Sequence, residues 1–82
     1  MKDTSFVVSI KGKGYYALDQ CSETSNFVEY VEKAKWFKSK ENASVMLEML
    51  MSRHDSLVGH IYEIEYEFVR LLSIKHQETV SK

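Results

Sequence analysis

Apolar and polar positions alternate with a period of two in two parts of this chain and with a helical period in a third. The clearest alternation runs from Ile61 to Val69. There Tyr62, Ile64, Tyr66 and Phe68 take turns with Glu63, Glu65 and Glu67. Successive side chains of a strand point to opposite faces. The segment therefore predicts a strand, 60–72, with an apolar side to bury and an acidic side in water. Thirteen residues at ~3.3 Å each would reach about 43 Å, against a mean strand of about 5–6 residues. The phase changes at Val69-Arg70-Leu71-Leu72, which predicts a bend or a projecting end.

The second alternation opens the chain. Phe6, Val8 and Ile10 alternate with Val7, Ser9 and Lys11, predicting a strand over 5–11 with the first set inward. Gly12-Lys13-Gly14 supplies the positive φ values of a tight hairpin turn, and Tyr15-Tyr16-Ala17-Leu18 reads as the returning strand. Residues 19–26 are polar and read as a mobile loop. Phe27–Val31 reads as a short strand followed by a turn of helix, with a helical turn running through Lys35 as the alternative.

The helical period belongs to residues 40–54. Ser39 is a good N-cap. Ala43, Met46, Leu47, Leu50 and His54 follow at helical spacing, flanked by Met49 and Met51. Glu41 in the first turn and Arg53 in the last suit the helix dipole. Asp55-Ser56 and Gly59 are expected to end the helix. Residues 73–82 are polar and expected to fray.

The order β-β-(β)-α-β predicts an α+β fold. We expect a small antiparallel sheet of three to four strands with one helix on one face, over the row of Tyr62, Ile64, Tyr66 and Phe68, because neither layer is stable alone in water. A length of 82 residues allows one domain, 1–82.

Charge and composition narrow the function classes. Eleven basic residues against twelve acidic ones leave a net charge of −1, which steers the chain toward neither nucleic acid nor an anionic membrane. No apolar run approaches the ~20 residues that span a bilayer. Met1-Lys2-Asp3-Thr4-Ser5 has no apolar core behind it, so no secretory signal is expected. Cys21 is the only cysteine, which favours a reducing, cytoplasmic setting.

The motifs of catalysis are missing from the sequence. His54, His60 and His76 have neither the i,i+4 spacing nor the partners of a zinc site, and His54 suits a helix C-terminus instead. Cys21 lacks the context of a nucleophile. Gly12-Lys13-Gly14 joins two strands and does not open a helix as a phosphate loop would. No cofactor is expected. The carboxylates Glu63, Glu65 and Glu67 stand ~7 Å apart along a strand, which a glycosidase pair would tolerate. A solvated face whose glutamates meet lysines on the next strand explains them more simply. Lys33, Lys35, Lys38 and Lys40 surround Trp36 and Phe37. That pattern suits single-stranded nucleic acid, but it equally suits two aromatic anchors with lysines splayed outward.

Lys33, Ala34, Phe37, Ser39 and Ala43 carry a resemblance. The run from Glu32 to Ala43 resembles small uncharacterised proteins of phages and prophages of Gram-positive bacteria. Those proteins have an N-terminal hairpin, a Lys-Ala-x-x-Phe turn, a Ser-capped helix and a final strand. The resemblance implies a role in phage or prophage biology and supplies no activity. The long 19–26 loop and the acidic last strand depart from it.

The sequence thus predicts a non-enzymatic protein-interaction module. It would act on a host partner or self-associate, as a homodimer, through the sheet, with Glu63, Glu65, Glu67, Lys33, Lys35 and Lys38 as the candidate surface. The alternative is a nucleic-acid-linked protein, touching DNA or RNA through Lys33–Lys40 or mimicking phosphates with Glu63, Glu65 and Glu67. A small hydrolase using those glutamates ranks last.

Overall fold

The computed structural model describes residues 3–17, 27–54, 58–68 and 70–81. It is an α+β fold whose elements, in chain order, are β1 (Asp3–Ile10), β2 (Gly14–Tyr16), β3 (Phe27–Val28), a 3-10 turn (Val31–Lys33), α1 (Lys40–His54), β4 (Val58–Glu67) and β5 (Arg70–Ser81). All five strands join one antiparallel sheet in the order β3-β2-β1-β4-β5. The count exceeds the expected three to four, because the chain reverses after Glu67 and residues 70–81 add a fifth strand.

Local chemistry accounts for the elements. Gly12 (φ 86) and Gly14 (φ 106) both hold the left-handed conformation that only glycine adopts freely, and the Lys13 N–H donates to the Ile10 carbonyl at 3.0 Å to close the turn. A Cβ on Gly14 would also lie 2.7 Å from the Val28 carbonyl oxygen, so close approach of β3 requires glycine there as well. Ser39 caps α1 as expected, its Oγ accepting from the Asn42 N–H at 3.2 Å. The helix buries Ala43, Leu47, Leu50 and Met51 and leaves Val45 and Met49 exposed.

The sheet is covered on both faces. On one, α1 packs its buried residues against Val8, Ile10 and Ile61, joined by Tyr16 and Phe37. On the other, Val7 and Ile64 are covered by Val31 from the 3-10 turn, with Trp36, Tyr62, Tyr66 and Leu71 around them. The chain passes from the second face to the first at Phe37. There it pairs briefly with β1, Phe6 and Phe37 exchanging backbone hydrogen bonds of 2.7 and 2.8 Å.

Register fixes which residues share a face, and it overturns one expectation. Phe6 stands opposite Glu63, Val8 opposite Ile61 and Ile10 opposite Gly59. Directly opposed residues point the same way. The helix therefore covers the face that carries Gly59, Ile61 and the glutamates. Tyr62, Ile64 and Tyr66 lie on the far side, beneath Trp36 and the 3-10 turn and not beneath α1. The alternation from Tyr62 to Glu67 does separate the two faces, but a period of two does not say which side a helix will choose.

Three further expectations are corrected. The chain reverses after Glu67, where Phe68 adopts φ 58 and is almost fully exposed, so it belongs to neither face. The change of phase at 69–72 marks that reversal. Residues 70–81 form the longest strand instead of a frayed tail, because β4 offers a full partner for them. Gly59 lies inside β4, where α1 presses on it: a Cβ there would collide with Leu47 Cδ1 and approach the Met51 sulfur and Ile10 Cδ1. The expected 19–26 loop, Cys21, the Asp55-Ser56 stop and the His54 side chain lie outside the described residues.

Candidate functional site on the β4–β5 hairpin

β4 and β5 are paired along most of their length, with two irregularities. Ile61 faces Glu78 and Tyr62 faces His76, leaving Gln77 as an extra residue. Glu65 faces Ser73 and Tyr66 faces Leu71, leaving Leu72 as another. Each extra residue bends the strand and restarts its alternation. Two sets follow on β5. Arg70, Ser73, Lys75, Glu78 and Val80 share the helix face, and Leu71, Ile74, His76, Thr79 and Ser81 share the other.

The three candidate glutamates are half-buried at the end of the helix face. Glu63 stands opposite Lys75 and Glu67 opposite Arg70, and a Glu63 carboxylate oxygen accepts from the Gln77 amide at 3.0 Å. Two of the three carboxylates thus stand opposite cationic residues on the neighbouring strand, while Glu65 stands opposite Ser73, the plain arrangement for a sheet face.

The lysines fall elsewhere. Lys33, Lys35, Lys38 and Lys40 are exposed along the 3-10 turn, the crossing segment and the start of α1. The aromatic pair they surround is consumed by packing. Trp36 lies over Tyr66 with centroids 4.7 Å apart, and its indole N–H donates to the Val31 carbonyl at 3.0 Å. Phe37 is buried in the helix-side core, and the Lys35 ammonium sits 5.8 Å from its ring centroid. A stacking platform for bases needs exposed rings, and these two are committed to the cores.

Strand pairing brings together a cluster that sequence spacing did not reveal. The Thr79 hydroxyl lies 3.0 Å from His60 Nδ1 and 2.8 Å from His76 Nε2. The two imidazole centroids are 5.5 Å apart, and Tyr62 sits within 6.0 Å of each, with Tyr15 beyond it. Burial, then Tyr62 and Glu32, push the Tyr15 hydroxyl pKa above its ordinary value of 10.0. The cluster is a surface hydrogen-bonded network. Among the described residues no group of three or more His, Cys, Asp or Glu is placed to hold a metal ion. No direct sequence signal pointed to it, because the reversal at 68 that makes 60 and 76 neighbours uses none of the usual turn residues.

No family model, no curated protein and no solved structure matches the chain.

The remaining feature of the hairpin is its outer side. β5 ends the sheet, and its twelve residues present the backbone groups of an edge strand. The opposite edge, β3, is two residues long. Leu72 and Ile74 are exposed on β5, 38% and 42% respectively, at the point where an added strand would cover them. Among the described residues no helix is long and apolar enough to cross a membrane.

Proposed function

We propose that this chain is a non-enzymatic protein-interaction module that works by taking up an extended strand along β5. The observation that carries this reading is the long edge strand with two exposed aliphatic residues near its middle. An extended segment of another chain would complete the backbone hydrogen bonds and cover Leu72 and Ile74. Arg70, Lys75 and the two bulges are devices that discourage indiscriminate edge pairing. They favour a partner whose charges and irregularities match. The setting that the Lys-Ala-x-x-Phe turn implies is phage or prophage biology in a bacterial cytoplasm. The nucleic-acid alternative is less well supported, because Trp36 and Phe37 are engaged in the cores.

The test follows backbone hydrogen exchange. Wild-type protein, alone at high concentration and after capture of partners from a bacterial lysate, is compared with the double variant Leu72→Lys plus Ile74→Lys. Complex formation should slow exchange of the β5 amides, and the variant should lose the complex while keeping its fold. Complexes that leave β5 exchange unchanged, or that survive the double substitution, overturn the reading.

A further inference from the structure

Resting on the strand-addition reading, we propose that the strand taken up along β5 is β5 of a second copy, antiparallel, with a two-fold axis through Ile74. The argument is one of register. Two edges related by a two-fold axis perpendicular to the sheet form one continuous sheet only if opposed residues share a face. Centring on Ile74 sets Ile74 against itself, Ser73 against Lys75 and Arg70 against Glu78. Ile74 lies on the face away from the helix, and the other four residues all lie on the helix face. The extra residues fit as well. The irregular pair Leu71-Leu72 of one copy meets His76-Gln77 of the other, so each bulge is matched by a bulge and the alternation stays in phase on both strands.

Charge and apolar surface agree with the register. Glu78 stands opposite Ile61 across β4, so β4 sets no cationic residue directly against it. In this register Arg70 of the second copy does so, twice by symmetry. The exposed Ile74 side chains meet at the axis, with Leu72 of each copy next to them. Face-preserving shifts to either side place Arg70 against Lys75, or Lys75 against itself. Like charges directly opposed are destabilising. Two other registers keep the faces. One is centred between Gln77 and Glu78, pairs only residues 74–81 and leaves both Leu72 and Arg70 outside the contact, and the other is centred between His76 and Gln77. The latter sets Lys75 against Glu78 but puts both bulges on the axis and opposes Ile74 to Thr79, whose hydroxyl already serves His60 and His76.

Cysteine cross-linking reads the register directly. In a Cys21→Ser background, Ile74→Cys should form an intersubunit disulfide on mild oxidation. Opposed Cα atoms in an antiparallel pair are about 4.5–5.5 Å apart, within the span a disulfide accepts. His76→Cys should not link, since its two copies would be offset by ~14 Å along the strands. Without oxidant, Arg70→Glu and Glu78→Arg should each weaken the dimer about tenfold by light scattering, and the double variant should recover most of that loss. If His76→Cys links and Ile74→Cys does not, strand addition stands and this register is overturned. If the protein stays monomeric at millimolar concentration and neither variant links, the second copy is overturned as the partner. The hydrogen-exchange test on captured complexes then decides strand addition separately.

Discussion

Gly59 and Leu47 should behave as one packing unit. A Cβ on Gly59 would collide with Leu47 Cδ1 and press on the Met51 sulfur at 3.2 Å and Ile10 Cδ1 at 3.3 Å, and Leu47 is fully buried. Two terms compete in Gly59→Ala. Overpacking a full core costs about 1–3 kcal/mol, while removing a mid-strand glycine returns about 0.5–1 kcal/mol of backbone entropy. The net expectation is a loss of about 0.5–2 kcal/mol. Leu47→Ala deletes the side chain at the centre of the helix-side core and should cost about 3–5 kcal/mol. In that background the atom that blocks the new methyl is gone, and the remaining neighbours are side-chain ends that need move only a few tenths of an ångström. Gly59→Ala should then be neutral or stabilising by up to ~1 kcal/mol, a coupling of about 0.5–3 kcal/mol between the two sites. A domain this small has a total stability of only about 4–12 kcal/mol. The cycle is therefore best followed by urea unfolding with Trp36 fluorescence and far-UV circular dichroism. Gly12→Ala serves as the control, because a Cβ there meets nothing within 4 Å. Its cost should come from φ alone and add to that of Leu47→Ala. If Gly59→Ala and Leu47→Ala are additive within about 0.5 kcal/mol, α1 does not rest on Gly59 and the packing described above is wrong.

Other perturbations report on other parts of the molecule. Ser39→Ala should cost about 1 kcal/mol in thermal or urea unfolding through loss of the cap on α1, and Ser39→Asp should restore it. Trp36→Ala should cost about 2–3 kcal/mol, because it uncovers Tyr66 and Ile64; a loss under 0.5 kcal/mol would mean the second face is not a core. Phe68→Gly relieves a non-glycine residue at φ 58 and should stabilise the hairpin by up to about 1 kcal/mol, which differential scanning calorimetry would show as a rise of roughly 4–8 °C at most. Tyr15 carries a raised pKa, so the folded chain holds the phenolic proton at pH values where the unfolded chain has lost it. That contribution to stability is complete below pH ~10 and is lost as pH climbs through the folded-state value. Unfolding free energy should therefore fall on alkaline titration, and Tyr15→Phe should flatten the fall.

What the sequence determined was local. Ser39 and the spacing of Ala43, Leu47 and Leu50 set α1, because a cap and a buried stripe need only residues one to eight apart. Gly12 and Gly14 set the first hairpin, because few other residues hold those φ values. The alternation at 62–67 set a strand with two unlike sides. The order of those elements set an α+β fold.

The tertiary structure decided everything that depends on one strand meeting another. The register of β1 against β4 put Gly59, Ile61 and the glutamates under the helix side and left Tyr62, Ile64 and Tyr66 to Trp36. That choice turns on Phe37, where the chain crosses the sheet. The reversal at Phe68 uses none of the usual turn residues, so the second half of the hairpin looked like a polar tail. Only once β5 pairs do His60, His76 and Thr79 meet, and only its two bulges sort Arg70, Lys75 and Glu78 onto one face. Periodicity tells a chain how many sides an element has. Which side is buried is a property of its neighbours, and those are chosen by long-range pairing that no local pattern encodes.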